Sequence, residues 1–372
     1  MRLLVFLITV LGLWLLIHLY VGWRLWPLPL FAVPAGHRAL LIGLAVGYCA
    51  YPLGRILFHH GAPRLGTALE YGGAVWMGVL ILLLSALGLV DLVTVFGLVL
   101  KPWVVLLRTV AAGLAVLLAI VAWVGGHVRP QIVELDVELP GLAKNADGLV
   151  IVQLSDLHLG NLSGARTVRS VIEQIDGLRP AVVAITGDLI DSDAGAVEKL
   201  VPLLQGLQAP KGVFAVLGNH EYYAGAERSR QLMTDAGFTV LDNAAAEVTP
   251  GLWIAGVADH GGGRQTGELT ADLAAALGAV PPGASVVLLQ HTPGNEDDAA
   301  AAGIGLMLNG HTHGAQIWPA HYLVRRVFPH LSGVRRVGGM TQVVCRGAGR
   351  WGPPMRLFAP AEIYRITLRS GS

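Results

Sequence analysis

Charge is scarce in this chain: Asp, Glu, Lys and Arg make up 14% of its 372 residues, while 53% are hydrophobic. That balance excludes a uniformly soluble protein, and the length exceeds one ordinary domain. Cysteine is scarcer still. Cys49 lies inside an apolar run and Cys345 far downstream, which excludes a disulfide framework and gives no CxxC or zinc-knuckle spacing. An excess of basic charge is also missing. Residues 1–126 hold seven Lys/Arg and two Asp/Glu, leaving nineteen basic and twenty-three acidic residues in 127–372. Such a domain has no field of the kind that tracks a phosphate backbone, so no nucleic acid polymer is an expected partner. No protein partner is read from the sequence either.

What is abundant is long apolar runs. Twenty-one residues without a formal charge separate Arg2 from Arg24, enough at ~1.5 Å per residue to cross a ~30 Å hydrocarbon core. Trp14, His18 and Tyr20 fit a retained helix better than a cleaved signal. Arg38 and Arg55 bracket a second, short run that spans only if its arginines snorkel. Tyr71 to Leu100 is broken only by Asp91, and Pro102 to Gly126 only by Arg108, with Lys101-Pro102 as a tight turn between them. Four spans are expected in a transmembrane domain 1–126, with Asp91 and Arg108 paired across the hairpin. His18, His59 and His60 read as interfacial or packed residues. An even number of spans puts the N-terminus and the downstream domain on one side. Arg2, Arg55, Arg64 and Arg129 on that side, against Arg24, Arg38 and Lys101 on the other, favour the cytoplasm by a narrow margin.

Residues 127–148 read as a linker and first edge strand. From Leu149 onward short β-rich runs alternate with amphipathic stretches, which is α/β patterning. Strands are predicted at 149–155, 181–187, 212–218, 252–258, 285–291 and 304–310, with two more in TQVVCRG and EIYRITL. Helices are predicted at 166–177, 194–207, 226–236 and 271–277.

Chemistry-bearing residues stand at the ends of those strands. Asp156 and His158 follow the first, Gly187 and Asp188 the second, and Gly218, Asn219, His220 and Glu221 the third. His291 ends the fifth, and Gly310, His311, Thr312 and His313 end the sixth. In open α/β sheets the carboxyl ends of strands line one crevice, so these groups are expected to converge. Imidazoles, carboxylates and an amide oxygen form a mixed N/O donor set suited to divalent first-row metals rather than to structural zinc. In Asp156-Leu157-His158 and His311-Thr312-His313 the donors are two apart, so both can face one side at an extended strand end.

The D-x-H, G-D, G-N-H-[DE], H and G-H-x-H blocks, in this order and spacing, resemble the calcineurin-like metallophosphoesterase superfamily. The resemblance covers about 149–368 of a domain read as 149–372. Its tail, GAGRWGPPMRLFAPAEIYRITL, is similar to the bacterial YkuE-like branch and its membrane-attached relatives. The resemblance implies a four-layer sandwich of two mixed β-sheets flanked by helices, with a dinuclear centre at the sheet edges. It implies that Asp156, His158 and His313 hold one divalent ion (Mn, Fe, Zn or Co), that Asn219, His291 and His311 hold the other, and that Asp188 bridges them. Two cations that close need an anionic bridge, and they acidify a shared water into a hydroxide nucleophile for phosphorus. The resemblance keeps His220 off the metals, where it is free to donate a proton to the leaving oxygen. Glu221 reads as orienting His220 or a neighbouring backbone group. Asp191 reads either as a carboxylate supporting the ligands or as a helix-start carboxylate. Ala315 stands where this branch commonly has a second glycine.

Seven arginines between 325 and 356 are interleaved with Tyr322, Val327, Phe328, Leu331 and Trp351. They read as a solvated loop or as a basic, partly apolar flap beside the metal crevice that holds a lipid phosphate or rests on anionic headgroups. The expected function is a phosphohydrolase anchored in a bilayer, of a bacterial inner membrane, acting on a phosphoester or pyrophosphate of a lipid-linked or envelope-precursor substrate. A tethered hydrolase of soluble nucleotides and a non-enzymatic metal-binding sensor or scaffold are the alternatives. A transporter would need more polar residues and breaks in the spans.

Overall fold

The computed structural model describes residues 2–268 and 270–371; Met1, Leu269 and Ser372, which fall within the ranges read from sequence, lie outside it. The described chain divides into two compact units, one holding the residues up to His127 with Ile317–Pro319 and Gly352–Leu357, the other holding the rest.

The first unit contains four helices long and apolar enough to cross a membrane: α1 (Arg2–Leu25), α2 (Pro34–His59), α3 (Pro63–Val93) and α4 (Val104–Gly125). α2 is longer than the charge-free run, because Arg55 lies inside it and pairs with Glu70 of α3 at 3.1 Å. The same pair lets α3 begin at Pro63, ahead of the uncharged stretch. α2 and α3 approach through small residues, as helices do where lipid gives no hydrophobic drive to associate. An added Cβ at Gly54 would lie 2.3 Å from the Glu70 backbone nitrogen. Asp91 does pair with Arg108, at 2.7 Å, but it also takes Arg24 at 2.6 Å and the Tyr20 hydroxyl at 2.7 Å. Three helices therefore meet on one carboxylate. The expected tight turn at Lys101-Pro102 is a longer connection, since α3 stops at Val93 and only a short 3-10 turn precedes α4. His18 is packed, accepting from the Trp76 indole at 2.9 Å.

The second unit holds twelve strands: β1 (Gln131–Leu139), β2 (Val150–Leu154), β3 (Val182–Ile185), β4 (Val213–Ala215), β5 (Thr239–Val240), β6 (Ala244–Thr249), β7 (Leu252–Gly256), β8 (Ser285–Leu289), β9 (Leu306–Asn309), β10 (Gly333–Val337), β11 (Met340–Val344) and β12 (Glu362–Ser370). They form two six-stranded mixed sheets, ordered β1-β12-β2-β3-β4-β5 and β10-β11-β9-β8-β7-β6. β2 to β5 are parallel, as are β7, β8, β9 and β11. Parallel strands buried on both faces read as nearly unbroken apolar runs, and the side chains sort by period two. Ile151, Val182 and Ala184 face the core between the sheets, while Val152, Val183 and Ile185 face the helices outside. Helices Ala165–Gly177 and Ala226–Asp235 cover that outer face, and Leu273–Leu277 and Glu296–Ala301 cover the other sheet, so the unit has four layers. The single helix expected at 194–207 is two short ones, Ala194–Glu198 and Val201–Leu204, because Pro202 fits a first turn but not a helix interior. Gln153 of β2 donates to the Asn309 carbonyl of β9 at 2.9 Å, tying the sheets together beneath the ends of their strands.

Candidate metal centre

Five parallel strands, three from one sheet and two from the other, release their carboxyl ends toward one place. Asp156 and His158 follow β2, Asp188 follows β3, Asn219 and His220 follow β4, His291 follows β8, and His311 and His313 follow β9. The structure brings all seven expected ligands and His220 together, each side chain buried or nearly so. On one side Nε2 of His158 and Nε2 of His313 are 2.9 Å apart, with Asp156 Oδ1 3.4 Å from His313. On the other side Asn219 Oδ1 is 2.9 Å from His311 Nδ1 and 3.1 Å from His291 Nε2. Asp188 lies between, its Oδ2 3.7 Å from His158 Nε2 and 3.2 Å from His291 Nε2.

The backbone does this differently from the extended strand ends expected. Asp156, His158, Asp188, His311 and His313 all have left-handed φ, between 48° and 73°. Left-handed backbone is uncommon outside glycine and costs roughly 1–3 kcal/mol per residue, so five together mark a site whose geometry the surrounding frame imposes. Gly218 has no room for a side chain: an added Cβ would lie 2.2 Å from Asp188 Oδ1 and 2.6 Å from the Asp188 nitrogen.

Supporting groups fix the donors. His291 Nδ1 donates to the Thr186 carbonyl at 2.8 Å, which aims Nε2 into the site. Nε2 faces Asn219 Oδ1 and Asp188 Oδ2, both acceptors, and although burial opposes it, Asp188 and then Asp156 hold this ring protonated, well above its ordinary value. A divalent cation would take the place of that proton, leaving imidazole nitrogen, amide oxygen and carboxylate as its donors, so this set fits divalent metal. The His220 amide donates to Asp188 Oδ1 at 2.9 Å, and the His311 amide to Asp156 Oδ1 at 2.9 Å.

Glu221 does not orient the His220 ring. Its carboxylate accepts from the backbone N–H groups of Asp188 (2.9 Å), Ile190 (2.7 Å) and Gly218 (2.7 Å), holding two ligand loops at once. Asp191 is no helix-start residue. Asp193 fills that role, accepting from the Gly195 and Ala196 amides. Asp191 Oδ1 instead lies 3.4 Å from His158 Nδ1 and 3.1 Å from His220 Nδ1, between a candidate ligand and the candidate acid. Two aromatic residues of the flap expected beside the metal crevice, Phe328 and Trp351, meet it, and Tyr223 joins them. Tyr223 and Trp351 flank the His220 ring at 5.4 and 5.9 Å, and Phe328 meets His311 at 5.2 Å. Sequence reading does not single out Tyr223, although it stands only three residues past His220.

The sequence model of the family described as calcineurin-like phosphoesterase matches residues 149–315. An uncharacterized metallophosphoesterase of Aquifex aeolicus is 34% identical over 235 residues, which is 63% of this chain and 89% of that protein. The chain belongs to the calcineurin-like metallophosphoesterase family. YkuE of Bacillus subtilis, also an uncharacterized metallophosphoesterase, is 31% identical over 235 residues, 60% of this chain and 80% of its own. A transmembrane protein with metallophosphoesterase domain from Danio rerio is 30% identical over 272 residues, 68% of this chain and 60% of its own. The chain also spans 65% of the length of the related Helicobacter pylori proteins.

Membership makes this a metal-dependent phosphoester hydrolase, and the charges of its site suit that chemistry. Burial would raise the Asp188 carboxyl, but His291 and His158 hold it well below the ordinary range, so it is anionic at neutral pH. Burial, and then the neighbouring His291, push His311 down to about 4, so its ring is neutral and offers a lone pair. Burial likewise opposes Asp191's charge, yet His158 and His220 keep it below the usual carboxylate value. For His220 the balance runs the other way: burial disfavours its charge, but Asp191 and Asp188 outweigh that and raise it.

Proposed function

We propose that this metallophosphoesterase is a membrane-anchored dinuclear-metal hydrolase that cleaves a phosphoester or pyrophosphate bond of a lipid-linked or envelope-precursor substrate. The observation that carries the reading is the pair of donor triads meeting on Asp188 Oδ2. Asp156, His158 and His313 would hold one divalent cation and Asn219, His291 and His311 the other, with the Asp188 carboxylate placed to serve both. When bound, two such ions supply charge stabilisation at the phosphoryl oxygens and acidify water.

The chain's own residues do the rest. Asp188 is kept in place by the His220 amide, and the loops that carry Asp188 and Asn219 are clamped by Glu221. His220 stands beside the triads with its Nδ1 against Asp191, which leaves Nε2 to protonate the leaving oxygen. Asp191 stabilises that imidazolium and orients His158 through the opposite nitrogen. Four membrane-crossing helices confine the enzyme near bilayer-held substrates, raising their effective concentration. With an even number of spans, the start of the chain and the hydrolase lie on one side, the cytoplasmic face of a bacterial inner membrane.

The test is hydrolysis of bis-p-nitrophenyl phosphate and p-nitrophenyl phosphate by the full-length protein in detergent, with manganese or with chelator, beside Asp188→Ala and His220→Ala. Chelator-sensitive turnover that both variants lose is the expected result. Bound metal without turnover of either ester, or of vesicle-borne pyrophosphates, would retire the hydrolase in favour of a sensor or scaffold.

A further inference from the structure

From residue 299 to residue 361 the chain contains seven arginines and no Asp or Glu. The rest of the second unit is not basic, so this segregation asks for a physical reason. Some of these arginines are used internally: Arg335 pairs with Glu296 at 2.9 Å, Arg346 pairs with Glu362, and Arg356 is buried. Arg325 and Arg326 are different. Both are exposed, and neither meets a carboxylate among the described residues.

Large apolar side chains stand outward around them. Tyr322, Leu323 and Val327 are 62%, 70% and 71% exposed. Single exposed apolar residues are ordinary on any protein surface, but three within six residues, interleaved with two unpaired arginines, are not. A solvated loop gains nothing from that composition. A segment lying at the headgroup level of a bilayer does: the apolar side chains enter the acyl boundary while guanidinium groups meet lipid phosphates. The same chain supplies the bilayer, through four helices able to cross one.

We propose that the segment 321–327 is a bilayer-seating surface that takes anionic phospholipid headgroups. Its neighbours give the seating a use. Phe328, the next residue, packs on His311, so the segment that meets headgroups leads directly into the rim of the metal centre. Delivery of a lipid phosphoester to that rim rests on the hydrolase reading; the seating itself does not.

The experiment uses the full chain in vesicles of phosphatidylcholine, alone or with phosphatidylglycerol. In a Cys49→Ser background, where the remaining Cys345 is buried, Leu323→Cys is labelled with an environment-sensitive fluorophore, and Glu198→Cys serves as an exposed control on the same unit. At 323, but not at 198, the emission should shift to the blue and be quenched by nitroxide-bearing lipids. Phosphatidylglycerol should strengthen both effects, and Arg325→Glu with Arg326→Glu should abolish that strengthening. A label that keeps its aqueous emission, or a shift indifferent to phosphatidylglycerol and to the arginine reversal, overturns the proposal. Turnover of bis-p-nitrophenyl phosphate by the unlabelled wild-type chain is measured alongside, so loss of the seating and loss of the hydrolase are told apart.

Discussion

Replacing Asp191 by asparagine removes one negative charge and almost no volume, and it touches two imidazoles at once. Oδ1 of Asp191 lies 3.4 Å from Nδ1 of His158 and 3.1 Å from Nδ1 of His220. Each ring needs an acceptor at Nδ1 so that Nε2 can do its work, as a metal donor in one case and as a proton donor in the other. Asparagine still offers one carbonyl oxygen, but its amide end is a donor and its charge is gone. Loss of such a supporting carboxylate typically costs 10–100-fold in metal affinity or rate, or about 1.4–2.7 kcal/mol. We therefore expect Asp191→Asn to raise the manganese concentration needed for half-activity and, at saturating metal, to lower kcat by at least about ten-fold with little change in KM. A cycle with His220→Ala separates the two routes. In that background manganese binding, read by calorimetry, should still weaken on Asp191→Asn, while whatever residual turnover is left should fall little further, since the ring it acts through is gone. Asp191→Asn within about two-fold of wild type in both kcat and manganese requirement would refute the positioning role.

Asp91→Asn leaves Arg24 and Arg108 buried without a counter-ion, so it should destabilise the full-length protein by about 3–5 kcal/mol. A thermal midpoint in lipid nanodiscs reads this, and replacing all three charges with apolar residues should recover most of it. Gly218→Ala would push a methyl into Asp188 and should abolish turnover with circular dichroism unchanged, whereas a variant of wild-type rate would mean the loop can yield. Metal should stabilise by about 2.7 kcal/mol for each site held at 100 times its dissociation constant, so chelation should lower the unfolding midpoint and manganese restore it. Ala315 sits at φ 61°, and Ala315→Gly should raise stability by up to about 1 kcal/mol in a denaturant titration.

How much of this was legible beforehand depended on burial. Strands β2, β3, β8 and β9 are covered on both faces, so each is an apolar run with an abrupt end, and the ligands stand at those ends. β6 and β10 lie at sheet edges and are half exposed; AAAEVT and GVRRV have neither alternation nor a run, and neither was expected. In the helical unit, charge-free length located the spans but not their limits, because Arg55 and Glu70 cancel each other inside helices. Arg24 could not be matched to Asp91 from spacing, as that choice depends on how three helices are arranged. Nor could the left-handed backbone of five ligand positions be read from aspartate and histidine. A strand end predicts where a side chain starts, and the turn that follows decides where it points. The partners of Glu221 were hidden for the same reason: three amides converge on it only after two loops have folded.

The placement of β12 sets an order of events. It lies between β1 and β2, parallel to one from Gln131↔Glu362 to Leu139↔Ser370 and antiparallel to the other from Tyr364↔Gln153. On a growing chain, α1 to α4 leave the ribosome more than two hundred residues ahead of β12. The helices can settle in lipid while the first sheet still has a gap in it, with β1 joined to nothing and β2 bare along one side. A fragment that ends before β12 cannot close that sheet, although it already contains Asp156 and His313. Loss of residues 362–370 alone should therefore leave an inserted membrane unit attached to a hydrolase with β1 unpaired and one edge of β2 bare.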